Sequence, residues 1–332
     1  MMLRAALLAL LLPCAVLAAP ADTVRATVEG HILPRINAFA QQAQALRDAA
    51  QADCTALRPA FTDAFDAWIS MSHLRFGPTE TGERGFALAF WPDTRGFTPR
   101  ALAGLIEAED PAVEDPDSFA QVSIAARGFY ALEFLLYDAT LSTLGPDAYR
   151  CTLLRAITAD IARLADAIRA DWTPGFARAM TQPSEEGRYR TDEEAIRELY
   201  KALDAGLQFT ADTRLGRPLG SFDQPRPNRA EARRSGRSLH HVTLSLAALR
   251  DLAAYLAQDH PQAAREVDAA FARALDRAAT LDDPSFAGVA EPAARLRVEA
   301  LQQAVQDIRD TATTALAPAL GVDAGFNSLD GD

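Results

Sequence analysis

An all-α fold is predicted by three features of this chain. Apolar residues recur at helical spacing through segments rich in Ala, Leu, Arg and Glu. Pro, Gly and Asp-Pro clusters separate those segments, at Gly77-Pro78, Asp110-Pro111, Asp115-Pro116, Gly145-Pro146, Thr173-Pro174-Gly175 and Asp283-Pro284. No convincing strand-like alternation interrupts them. Helices broken in this way predict antiparallel bundles.

The first element is a targeting segment. MMLRAALLALLLPCAVLAAPADTV has one arginine, an apolar run and then small residues, and Val16-Leu17-Ala18 before Ala19 fits the small-x-small cleavage rule. The run is too short for a membrane span. Cys14 follows Leu-Leu-Pro, a poor lipobox. We expect residues 1–18 to be a signal peptide, and an exported, periplasmic protein without lipid anchoring.

Two cysteines remain after processing, Cys54 and Cys151. In an oxidising compartment paired thiols are the usual state, so a Cys54–Cys151 disulfide is expected, worth a few kcal/mol in the chain-entropy model. The alternative is two buried free thiols.

Helical periodicity then covers 22–50, 52–72, 98–109, 118–138, 146–171, 191–210, 229–258, 261–279 and 289–316. Two connections are long. Residues 74–97 carry Phe76, Phe86, Phe90, Trp91 and Phe97, too many aromatics for a linker, so this loop is expected to pack on the body. Residues 211–228 are rich in proline and glycine and separate two helical groups, and the expected division is into an N-terminal bundle (19–175) and a C-terminal one (190–332). Whether these share one core is open at this stage.

Charge narrows the partners. Lys+Arg 33 against Asp+Glu 45 gives a net −12. With no basic face to meet phosphates, nucleic acid is not an expected partner. Lys201 is the only lysine, which fits an Ala- and Arg-favouring genome.

Two helices are apolar on most sides yet carry a polar seam. In IAARGFYALEFLLY and the residue before it, Ser123, Arg127, Tyr130, Glu133 and Tyr137 fall within an arc of roughly 120°. In RRSGRSLHHVTLSLAALRDL, Arg234, Ser238, His241 and Ser245 line one face, with Arg237 at its edge. One reading is a buried ion pair, Glu133 neutralised by Arg127, Arg234 or Arg237. The other is a cleft in which Tyr130, Glu133, His241 and His73 face a ligand. His73 sits at a helix end beside Arg75 and Gly77-Pro78, where an imidazole suits anion binding or metal ligation. His31 and His260 read as surface or terminus residues, and the adjacent His240 and His241 cannot both face one site. Zinc-helix, Cys-x-x-Cys, phosphate-loop and nucleophile-elbow motifs are absent from the sequence.

Several stretches together resemble the imelysin-like family of exported bacterial proteins. They are HLRFGP at 73–78, FWPDTRG at 90–96, GFYALEFLLY at 128–137, RSGRSL at 234–239 and GFNSLDGD at 325–332. The FWPD loop and the last two stretches are similar to the branch described as predicted periplasmic lipoproteins. The resemblance implies two related helical bundles with a cleft between them, and an association with iron uptake. It also implies a GxHxxE site, whose glycine falls on Gly128 and glutamate on Glu133, while Tyr130 occupies the histidine position. Phenol is a poor zinc ligand, but with carboxylate it suits ferric iron, and His73 is the candidate imidazole.

Three functional readings follow. The first is a non-enzymatic binding protein holding iron, an iron complex or another small polar molecule. Its candidate ligand-binding residues are His73, Arg75, Trp91, Asp93, Arg127, Tyr130, Glu133, Arg234, Arg237, Ser238 and His241. Glu133, Tyr130 and His73 are its metal candidates, and its partner is a membrane transporter or receptor. The second is a metallopeptidase with Glu133 as base. The third is a structural or interaction protein whose seams hold only internal ion pairs.

Overall fold

Most helices begin where the sequence supplies a start signal. Pro34, Pro261 and Pro292 fall at first-turn positions, where a missing N–H costs nothing. Thr191 caps its helix by accepting the Glu194 N–H, and Asp192, Glu193 and Glu194 place negative charge in that first turn. The computed structural model describes residues 20–322; the expected signal peptide, Cys14 and the GFNSLDGD stretch lie outside them.

The principal helices are α1 (Pro20–Thr27), α2 (Leu33–Ala52), α3 (Arg58–Met71), α4 (Phe97–Ala108), α5 (Gly128–Tyr137), α6 (Asp147–Asp171), α7 (Asp192–Gln208), α8 (Ser238–Leu256), α9 (Pro261–Ala279) and α10 (Pro292–Thr311). Among the described residues no strand forms, only an isolated bridge between Ser221 and Gln224. The fold is all-α. Helix α2 packs on α3 and α6, and α5 on α6; α9 packs on α8 and α10, and α7 on α8. The two groups meet where α3 crosses α8. Helix α1, although first in the chain, packs on α7 and α8 of the later group.

The buried apolar residues form one connected cluster through both groups. Phe65 and Phe129 stack at 4.7 Å near its centre, with Phe61, Phe39 and Trp68 around them. Cys54 and Cys151 are bridged, with Cα atoms 5.5 Å apart. The aromatic loop packs on the body through Leu74, Phe76 and Leu88, all buried, although Phe86 and Phe97 stay exposed.

Two of the long predicted helices are broken, and both breaks change the site. The segment 118–138 is continuous only from Gly128, because Arg127 is extended and Gly128 has φ +71°. A Cβ on Gly128 would lie 2.3 Å from the carbonyl oxygens of Ala87 and Leu88, so the chain needs glycine there. The segment 229–258 is helical only from Ser238. Before it, residues 230–237 fold into turns, with Ala232 and Gly236 at positive φ.

Candidate functional site

A cavity of about 410 Å³ opens where the two groups meet. Trp68, Trp91, Tyr130 and Phe209 form much of its wall, with His73, Arg75, Arg214, Glu231 and Ser245 as polar members. Trp91, from the aromatic loop, lies against Tyr130 with ring centroids 6.1 Å apart and planes 29° apart, and meets Phe209 edge-on at 6.0 Å.

The charge in this wall is internally matched. The Tyr130 hydroxyl donates to Glu231 Oε1 at 2.5 Å, and Arg214 Nε donates to Glu231 Oε2 at 2.7 Å. All three side chains are buried. Burial by itself would raise the Glu231 carboxyl, but Arg214, His241 and Tyr130 outweigh it and hold it at about 2. Burial and then the Glu231 charge push the Tyr130 phenol well above its ordinary range. So the phenol keeps its proton and the carboxylate stays ionised. His241 Nδ1 is 3.4 Å from Glu231 Oε2 but lacks hydrogen-bond alignment, and its ring packs edge-on against Phe65 at 4.5 Å.

The polar seam read from 118–138 divides. Arg127, off the helix, pairs with Asp160 at 2.9 Å and donates to the Ala120 carbonyl. Glu133 is buried, but it does not line the cavity. Its Oε1 accepts from the backbone N–H of Ser235 at 2.9 Å and from the Ser235 hydroxyl at 2.8 Å. None of the expected partners Arg127, Arg234 and Arg237 pairs with it; a serine in the 230–237 turns supplies its hydrogen bonds, and Arg233 of the same turns supplies nearby positive charge. Only Tyr130 of this seam reaches the cavity.

The arginine seam divides likewise, because Arg234 and Arg237 precede the helix. Arg234 pairs with Asp138 at 3.0 Å and covers the Phe134 ring; Arg237 pairs with Asp66, which also takes His240 at 2.9 Å. Ser238 donates to the Glu231 carbonyl at 2.5 Å. Along α8, Ser238, His241 and Ser245 are all buried, and Ser245 reaches the cavity with its Oγ unpartnered. Asp93 accepts from the backbone N–H groups of Arg95, Phe97 and Thr98, holding the start of α4 rather than a ligand wall. Arg75 lines the cavity and pairs with Glu80 at 2.5 Å.

His31, expected at the surface, is fully buried. A π-turn at Val28–Ile32 carries it inward, and Gly30 permits this because a Cβ there would lie 2.2 Å from the Tyr255 hydroxyl. His31 Nε2 lies 2.9 Å from His73 Nε2, and His31 Nδ1 lies 2.7 Å from Asp251 Oδ2. Arg35 holds the same Asp251 oxygen at 3.0 Å.

The metal set Glu133, Tyr130 and His73 is therefore not assembled. Each has a different partner, Ser235, Glu231 and His31 respectively. Among the described residues no group of three His, Cys, Asp or Glu side chains is arranged to hold a metal ion. The buried acidic residue of the cavity is Glu231, which lies outside both helices as they fold. Neither Glu231 nor Arg214 carries a periodic signal, since both sit in irregular or π-turn segments.

Comparison with known proteins accords with this architecture. The imelysin (peptidase M75) family model matches residues 31–312. The chain is 24% identical over 326 residues to iron-regulated protein A of Synechococcus elongatus, covering 90% of this chain and 86% of that one. An imelysin-like protein from Psychrobacter arcticum superposes with a TM-score of 0.77 at 20% identity, over 94% of this chain and 100% of the other. A provisionally named iron-regulated protein A precursor from Parabacteroides distasonis gives 0.68 at 14% identity, over 88% and 95%. On the extent of the family match, this chain belongs to the imelysin family.

Proposed function

We propose that this protein is an exported, non-enzymatic binding protein that receives a small organic molecule, an iron-carrying complex or another small polar ligand, in the cavity between its helix groups. The observation that carries this reading is the cavity wall itself. Four aromatic rings surround a space of about 410 Å³, and Ser245, whose buried hydroxyl lacks a hydrogen-bond partner, is among the residues lining it. Such sites are mostly apolar with a few convergent polar groups. A buried polar atom without a partner is costly unless something bound satisfies it.

The iron connection comes from the relatives, two of which carry names referring to iron regulation. The donor set favours an organic carrier over a bare ion, since Arg214 already neutralises Glu231 and no three metal-ligating groups converge. A metallopeptidase needs a base beside a held metal, whereas Glu133 is engaged by Ser235 away from the cavity. Export to the periplasm rests on the N-terminal segment and is compatible with the described helices, none of which is long and apolar enough to cross a membrane. A membrane transporter or receptor would then take the ligand onward.

The test is elemental analysis and small-molecule mass spectrometry on protein purified from the periplasm without a tag. We expect a stoichiometric organic molecule, with or without iron. Stoichiometric metal with no organic component would overturn the proposal.

A further inference from the structure

The histidine pair beside the cavity forms a chain from the surface to the ligand space. Asp251 is 42% exposed, His31 is fully buried, and His73 lines the cavity. The contacts along this chain are 2.7 Å and 2.9 Å, each at hydrogen-bond length. The three residues come from α8, the π-turn after α1, and the turn after α3, so the folded arrangement of both helix groups creates the chain.

Donor and acceptor roles along it are fixed by elimination. An ionised carboxylate only accepts. Asp251 is held ionised by the His31 hydrogen bond, against some burial, and by Arg35. His31 Nδ1 therefore donates. Burial, with Arg35, outweighs Asp251 and keeps His31 neutral, so its Nε2 carries a lone pair. His73 Nε2 must donate to it. Burial first, then His31, Arg35 and Arg214, keep His73 neutral as well. With the proton on Nε2, the remaining nitrogen, Nδ1, bears a lone pair.

The charged groups of the wall are already engaged by protein partners. Glu231 is taken by Tyr130 and Arg214, and Arg75 by Glu80. Asp212 is exposed and accepts from Gln306 at 3.1 Å. Trp68, Trp91, Tyr130 and Phe209 supply the aromatic part of the wall.

From this geometry we infer that Asp251 and His31 are positioning residues that hold His73 as a proton acceptor toward the cavity, which thereby selects an uncharged aromatic molecule presenting an O–H or N–H donor. The inference rests on the cavity being a ligand site, as proposed above. It goes beyond that reading by naming the ligand's polarity and the residues that set it.

The test uses three matched probes, 2-naphthol, naphthalene and 2-naphthoate, titrated into the full mature protein. Wild type is expected to bind 2-naphthol about tenfold more tightly than naphthalene, the worth of about one hydrogen bond, and 2-naphthoate most weakly. Asp251→Ala is expected to shrink the naphthol preference, and Asp251→Asn, which keeps an acceptor oxygen for His31, to retain it. Histidine nitrogen NMR on wild type supplies a readout independent of any variant's folding. It is expected to show His31 as the Nδ1–H tautomer and His73 as the Nε2–H tautomer. Failure of all three probes to bind would remove the cavity reading itself. Equal binding of naphthol and naphthalene, tighter binding of naphthoate, or a His73 Nδ1–H tautomer would overturn the acceptor inference while leaving the cavity in place.

Discussion

Two buried glutamates, Glu133 and Glu231, sit on neighbouring elements of this protein and have opposite circumstances. Glu133 lies on a regular helix, at the family motif's position, and accepts two hydrogen bonds from a serine in a turn, with the Arg233 charge nearby. Glu231 lies in an irregular segment, is met by an arginine and a tyrosine, and faces the cavity. The difference shows what a helical seam can and cannot reveal. Periodicity identifies which side chains leave the apolar face, but the chain packed opposite decides what they meet.

The largest effect expected from this contrast is on stability. Glu231→Ala leaves Arg214 buried without its counter-charge, which costs about 3–5 kcal/mol; urea unfolding measures it. A loss below 1 kcal/mol would mean the pair is solvated and not a buried ion pair.

Acid sharpens the same contrast. The folded Glu231 value of about 2 lies below its ordinary 4.5, so its contribution is present above about pH 4.5 and is lost as pH falls toward 2. His31 and His73 also titrate below their ordinary 6.5 when folded, so stability due to their neutral forms is complete above pH 6.5 and declines below it. Unfolding free energy measured against pH is expected to fall in two stages, the first weakened in His73→Phe and the second retained. A profile flat from pH 7 to 3 would contradict both assignments.

Glu133→Ala is expected to cost about 1–3 kcal/mol by leaving the Ser235 N–H unsatisfied, and to leave cavity binding of 2-naphthol unchanged. That revises the role expected for this residue from the sequence. A tenfold loss of binding would restore Glu133 to the site. Ser245→Ala gives the smallest stability change, within about 1 kcal/mol and in the stabilising direction, since it removes an unpartnered buried hydroxyl. It is expected to weaken the natural ligand all the same; thermal melts with and without that ligand separate the two effects.

The all-α class was legible because apolar spacing and proline breaks are local signals, and the Cys54–Cys151 bridge because compartment and count left few options. Tyr130, Trp91, His73 and Ser245 were legible as polar or aromatic residues in apolar surroundings, and all four line the cavity. Arg127, Arg234 and Arg237 were misplaced because a helix drawn through Gly128 or Gly236 ignores close backbone approach and positive φ. His31 was misplaced because a π-turn rotates the chain relative to regular helical phase. Glu231, Arg214 and Asp251 gain their roles only from partners remote in sequence.

The central claim is that the ligand space lies beside Glu231 and Ser245 rather than at Glu133. It is tested most directly by returning the molecule released from wild-type protein to emptied Glu133→Gln and Ser245→Leu variants, with calorimetry as the readout. Wild-type affinity is expected for Glu133→Gln, and no measurable binding for Ser245→Leu, whose larger side chain fills the cavity. Retained binding by Ser245→Leu together with loss in Glu133→Gln would contradict it.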